Sequence, residues 1–117
     1  MITLEKHKND VWEIKINRPE KANSLSSSML EELLSIFDKA SEARGVVLTG
    51  QGTTFSAGAD LNEVKSGLAI SPIWEKLSEK IAKLNCITIA ALNGTVAGGA
   101  FGMILACDIR ICVSKAR

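Results

Sequence analysis

Two loops of small residues, Ser56-Ala-Gly-Ala-Asp60 and Asn93-Gly-Thr-Val-Ala-Gly-Gly99, hold most of the chemistry this sequence can offer. Each follows a run that reads as a buried strand. Each presents backbone N–H groups among glycine and alanine, with no large side chain to screen them. The second loop opens a helix, whose first N–H groups lack partners within it and whose dipole favours negative charge. Two such donors on separate loops suit a carbonyl oxygen that becomes anionic when a neighbouring C–H loses its proton. One donor of this kind lowers a barrier by about 3–4 kcal/mol. Either loop alone reads first as a tight packing turn; the pair together suggests an oxyanion hole.

Other chemistries fit less well. The chain has no Gly-Lys-Ser/Thr, and Gly94-Thr-Val-Ala-Gly98-Gly99 is not GxGxxG, so neither loop is a nucleotide motif. Thr54-Phe-Ser56-Ala-Gly58 misses the first glycine of GxSxG, and no histidine is placed to serve it. His7, the single histidine, falls in a polar turn and reads as solvated surface. No cluster has metal-ligand spacing, so no metal is expected.

The remaining features set the context. At 117 residues the chain fits one domain, 1–117, able to bury about two-thirds of its unfolded surface. Its 14 basic and 13 acidic residues are interspersed, giving net charge +1, and there is no tyrosine. Without a basic stripe, nucleic-acid binding is not expected. Cys86, Cys107 and Cys112 form no CxxC pair and read as buried reduced thiols of a cytoplasmic protein. The N-terminus has no apolar signal segment. Between Lys83 and Asp108 there is no charge, long enough for the ~20 residues of a membrane span. Asn93-Gly94 and Gly98-Gly99 interrupt that run, so a membrane span is the weaker reading.

The elements that must position the loops follow from periodicity. Ile2–Lys6 and Val11–Ile16 read as a hairpin, the second strand alternating Trp12, Ile14 and Ile16 with charged residues. A polar loop from Asn17 to Ser24 turns at Pro19. Ser28 and Glu31 have capping-box spacing, predicting a helix with Met29, Leu33, Ile36, Phe37 and Ala40 inward, ending near Ala43 with Gly45 as C-cap. Gly45–Gly50 is a strand between glycines, and residues 51–60 form a loop. Ser71-Pro72 caps a second helix with stripe Ile73, Leu77, Ile81 and Leu84. Ile87–Leu92 is a buried strand, and Phe101–Ala106 is apolar on every side, predicting a helix with no solvated face. A strand over Ile109–Val113 closes the chain, and the whole pattern is that of a layered α/β fold.

At this point three ordered stretches resemble the crotonase superfamily, the enoyl-CoA hydratase/isomerase family. They are Ile16-Asn-Arg-Pro-Glu-Lys-Ala-Asn-Ser-Leu25, Phe55-Ser-Ala-Gly-Ala-Asp-Leu61 and Ala91-Leu-Asn-Gly-Thr-Val-Ala-Gly-Gly99; Leu105-Ala-Cys-Asp-Ile-Arg110 adds a fourth likeness. The resemblance implies an α/β crotonase-like (ClpP/crotonase) spiral of ββα units, here ending before the C-terminal helices. It implies an acyl-CoA or enoyl-CoA thioester as ligand, with coenzyme A part of the substrate and no separate cofactor. The backbone N–H groups of Ala59 and Gly99 would form the oxyanion hole. Lys21, Ala22 and Ser24, together with Ala57, Gly58, Ala59, Asp60 and Leu61, would embrace the CoA arm, and Gly98 and Gly99 would line the thioester end. Asp60 would cap the turn that aims Ala59 rather than act as an acid. The family's pattern also implies a homo-oligomer, a trimer or hexamer.

Two departures stand beside the match. Family hydratases carry a catalytic glutamate three residues after the oxyanion glycine, where this chain has Gly102, and their second glutamate would fall beyond Arg117. Hydration needs one carboxylate to activate water and another to protonate carbon, whereas isomerases of the family use only the later one. The expected activity is therefore double-bond isomerisation more than hydration, impaired in this short form. A non-catalytic acyl-CoA-binding or assembly module on the same fold is the alternative.

Overall fold

The computed structural model describes residues 1–68 and 71–112. Its centre is a five-stranded sheet in the order β1-β2-β3-β5-β7, formed by Ile2–Lys6, Val11–Ile16, Gly45–Gly50, Ile87–Leu92 and Ile109–Cys112. β1 is antiparallel to β2, and every later neighbour is parallel. Parallel neighbours require a crossover between them, and these crossovers carry helices α1 (Ser27–Lys39), α3 (Ile73–Ala82) and α4 (Ala100–Ala106). Because strands enter the sheet in chain order, like-handed crossovers bring the helices to one face, where α1 packs on α3 and α3 on α4. A short α2 (Leu61–Val64) precedes α3.

Register explains the core. Trp12 pairs with Val46 and Val46 with Thr88; Ile14 pairs with Leu48 and Leu48 with Ala90. These rows are buried, while residues between them on each strand are partly open, as the two-residue period demands. Met29, Leu30, Leu33 and Phe37 of α1 and Leu77 and Ile81 of α3 close over that face. The opposite face leaves Ile87, Ile109 and Ile111 about half exposed.

Several expectations need correction. Ser26, not Ser28, caps α1, its hydroxyl accepting from the Met29 amide at 3.2 Å. The first helical turn therefore begins two residues earlier than the Ser28–Glu31 spacing suggests. At the other end α1 gives way to a 3-10 turn, Ala40–Glu42, and Gly45 is already in β3 rather than a C-cap. Two short strands inside the expected loops, β4 (Thr54–Ser56) and β6 (Thr95–Val96), pair in parallel as a second sheet. Strands of three and two residues are too short to show a period. The Lys83–Asp108 run divides into strand, turn and helix, and no described helix is long and apolar enough to cross a membrane. Nor is α4 enclosed: Phe101 is 49% and Leu105 67% exposed, so apolar composition did not mean burial here. Cys112 is likewise exposed rather than buried, and Val113 lies outside the described residues.

Candidate functional site

The two small-residue turns touch. Ala97 donates its amide to Ser56 O at 3.0 Å, extending the β4–β6 pairing into the loops. A Cβ on Gly58 would lie 2.9 Å from Ala97 O and 3.3 Å from Gly98 Cα, so only glycine allows this approach. Gly58 also sits at φ +95°, a conformation that side chains disfavour.

The polar loop before α1 folds onto the first turn. Ala57 donates to Ala22 O at 3.0 Å, Leu25 to Gly58 O at 2.7 Å and Asp60 to Leu25 O at 2.9 Å. This pattern is a single parallel bridge between Leu25 and Ala59. In such a bridge the partners' hydrogen bonds run through Gly58 and Asp60, so the Ala59 amide faces away from Leu25. Among the described residues no acceptor takes it. The Gly99 amide, just before α4, likewise donates to no described group.

A cavity of ≈ 410 Å³ opens where the loop meets the first turn. Lys21, Ala22 and Ser24 line it from one side, Ala57, Ala59 and Asp60 from the other, with Leu61 and Asn62 at the edge. Of the residues expected around the CoA arm, only Gly58 is outside this lining; it is buried against the second turn. Gly99 lines a different cavity, of ≈ 400 Å³, between α3 and α4. Trp74, Glu75, Ser78, Glu79 and Gly102 complete it. Gly98 lines neither; it forms the contact between the turns. The larger groove between α1 and α3, ≈ 660 Å³, is bordered by the Asp38–Lys80 ion pair at 2.6 Å. Lys80 holds the Asp38 carboxyl below its ordinary range, and the groove contains no residue of either turn.

Several side chains, Asp60 among them, fix the first turn. Arg18 Nη1 pairs with Asp60 Oδ2 at 2.5 Å and reaches Ser24 O at 3.3 Å. Asp60 Oδ1 accepts from the Asn62 amide at 2.8 Å and caps α2. The hydrogen bond from Arg18 holds the Asp60 carboxyl below the usual carboxylate range, against the opposing effect of burial. Such a group stays ionised and is a poor proton donor. Asn23 is buried at φ +55°, donating to Gln51 O and Thr54 O and accepting from the Arg18 amide. Ser56 Oγ donates to Asn23 O and accepts from the Gly58 amide. The second turn has fewer such braces. Asn93 binds the Gly50 amide and the Gly52 and Thr54 carbonyls, while the Trp74 ring lies where a Cβ on Gly99 would come within 2.8 Å. The sequence assigned no role to Arg18 or Trp74 because each meets its partner, Asp60 or Gly99, far away along the chain.

Other titratable groups lie apart. His7 is on the surface as expected, yet it is not alone: the hairpin sets it between Glu5 and Glu13, with Nε2 3.1 Å from Glu13 Oε1. These three side chains lie within 4.8 Å of one another, a proximity that cross-strand pairing creates and linear spacing hides. Burial pushes the Cys107 thiol up to about 11 and raises Cys86 as well. Neither is a thiolate nucleophile at neutral pH.

A chain with this sheet, these helices and two bridged small-residue turns falls in the crotonase-like class. The family model for enoyl-CoA hydratase/isomerase matches residues 6–117. The chain belongs to that family. It is 36% identical over 125 residues to the short-chain-enoyl-CoA hydratase of Clostridium acetobutylicum, covering 99% of this chain and 48% of that protein. It is 32% identical to the mitochondrial Delta(3,5)-Delta(2,4)-dienoyl-CoA isomerase of Dictyostelium discoideum, covering 97% and 46%. The crystal structure of enoyl-CoA hydratase from Bacillus anthracis superposes with a TM-score of 0.88 at 35% identity, covering 98% of this chain and 48% of that one. The chain thus spans about half the length of the relatives it matches.

Proposed function

We propose that this chain binds an acyl-CoA thioester and stabilises its enolate between the amides of Ala59 and Gly99. The observation that carries this reading is that, among the described residues, neither amide meets an acceptor while their turns are held in contact through Gly58 and Gly98. The CoA arm would run through the cavity lined by Lys21, Ala22, Ser24 and Ala57, with the Lys21 ammonium available to a phosphate. The acyl group would pass Gly99 into the cavity beside Trp74. Charge developing on the thioester oxygen would then meet two fixed dipoles without a metal ion or further cofactor.

Double-bond isomerisation suits the site better than hydration, because position 102 is glycine and Asp60 is committed to Arg18. Similarity alone does not choose, since a hydratase and an isomerase match at comparable identity. The same glycine favours a second reading, a non-catalytic acyl-CoA-binding or assembly module. A homo-oligomer is part of the proposal, supported by the half-exposed Ile87, Ile109 and Ile111 on one sheet face. Titrating the chain calorimetrically with a 3-enoyl-CoA, then following formation of the 2-enoyl isomer, tests the proposal. Saturable binding with slow isomerisation is expected. Binding without any isomer would favour the module, and absence of binding would remove both readings.

A further inference from the structure

The open face of the β1–β2 hairpin gathers side chains that neither small-residue turn uses. Glu5 and Glu13 are directly opposite across the two strands, and the two-residue period puts His7 on the same face as Glu5. Trp12 and Ile14, the neighbours of Glu13 along β2, are buried on the other face. The turn fixes His7 by its backbone: its amide donates to Val11 O at 2.9 Å, and its carbonyl accepts from the Asp10 amide at 3.1 Å. The ring Nε2 then stands 3.1 Å from Glu13 Oε1 and 3.6 Å from Glu5 Oε2. Like charges facing each other across a strand pair destabilise it. A cation held between Glu5 and Glu13 reverses that effect. Lys15 meets the need only in part, since its Nζ lies 3.9 Å from the other oxygen of Glu13 and pairs with no oxygen of Glu5.

We propose that Glu5, His7 and Glu13 form a binding site for a divalent first-row transition ion, of which Zn²⁺ is the representative. Tetrahedral zinc takes imidazole nitrogen and carboxylate oxygen at about 2.0–2.1 Å, which sets any two donors about 3.3–3.4 Å apart. The two measured separations from Nε2 straddle that value, and all three donor atoms lie within 4.8 Å of one another. An imidazole in the donor set selects such an ion over Mg²⁺ or Ca²⁺, which prefer oxygen. Glu5 and His7 are exposed, so water completes the coordination. Lys15 holds one oxygen of Glu13 and leaves Oε1 to the ion. The bound ion ties β1, at the edge of the sheet, to β2 across their turn. This site stands independently of the thioester reading.

His7 is the single histidine, so its ring nitrogens report on this site alone. The test titrates the ¹⁵N-labelled full chain with ZnCl₂ at neutral pH, following Nε2 by NMR, with calorimetric affinity in parallel. Cys112→Ser is titrated alongside, because that exposed thiol is a competing zinc ligand. One equivalent of zinc should saturate a shift at Nε2 in both chains, and MgCl₂ at the same concentration should leave it unmoved. Glu5→Gln and Glu13→Gln should each weaken zinc binding by at least about tenfold, the lower range found even for indirect partners of a metal ligand. His7→Ala in the Cys112→Ser background should lose the calorimetric signal, and Glu42→Gln, on the remote 3-10 turn, should match the parent. An Nε2 resonance that responds to pH but not to zinc would overturn the proposal, leaving His7 as a plain ion-pair partner of the glutamates. So would a shift that disappears in Cys112→Ser, both glutamine variants binding at the parent affinity, or magnesium acting as zinc does.

Discussion

The two turns that meet at Gly58 and Gly98 resemble each other in composition and differ in how they are held. Side chains lock the first from several directions: Asn23, Ser56 and the Arg18–Asp60 pair all bond within or beside it. The second leans on the first through Ala97 N–Ser56 O, on Asn93, and on the face of Trp74. One turn is thus a fixed reference and the other is positioned against it. Two amides belonging to different crossovers keep a constant relation most simply when a single well-braced loop sets both, which is the preorganisation that the proposed oxyanion hole requires.

Breaking the join between the start of β4 and the second turn should have the largest effect. A Cβ on Gly94 would lie 1.8 Å from Thr53 O, a backbone atom that cannot swing aside. Gly94→Ala should cost about 4 kcal/mol or more and leave little folded chain, as urea unfolding followed by circular dichroism would reveal. A retained midpoint would mean that the two loops can part freely.

The comparison is sharpened by substituting the two touching glycines separately. Gly58→Ala meets both a positive φ and the Ala97 carbonyl, whereas a Cβ on Gly98 finds nothing nearer than 3.6 Å and suffers only from its φ of +59°. The expected losses are about 3 kcal/mol for Gly58→Ala and about 1 kcal/mol for Gly98→Ala. Equal losses in the same urea titrations would contradict the idea that the first turn is the rigid member.

A smaller effect should appear with pH. The folded-state pKa of Asp60 lies below its ordinary 3.8 because Arg18 donates to the ionised form. The pair therefore contributes stability above that value, and the contribution is lost as pH falls through the lower folded-state pKa. Asp60→Asn should remove this part of the acid dependence, so the variant's stability should fall less steeply than the parent's below about pH 4. Parallel acid limbs would show that Asp60 is not coupled to folding through Arg18.

Much of the scaffold was legible because its signals are local. The alternation of Trp12, Ile14 and Ile16, the glycine-bounded run at Gly45–Gly50 and the stripe containing Leu77 and Ile81 each repeat within a few residues, so period alone assigns them. The cap of α1 was misread because three serines in succession, Ser26–Ser28, offer equivalent hydroxyls. Tertiary contact chooses among them: Glu63 occupies Ser27, and Ser26 is left to cap. The exposed side of α4 was misread for a different reason. Composition states what a helix can bury, whereas neighbours decide what it does bury.

By itself the sequence determined the five main strands, the three longer helices, the family, and the two small-residue stretches proposed to bind an oxygen. Only the tertiary structure decided that Arg18 grips Asp60, that Trp74 stands over Gly99, and that the two small-residue turns meet at Gly58 and Gly98. The physical reason is distance along the chain. Periodicity and turn chemistry act over a few residues, but a site assembled from separate crossovers exists only after the sheet has brought them side by side.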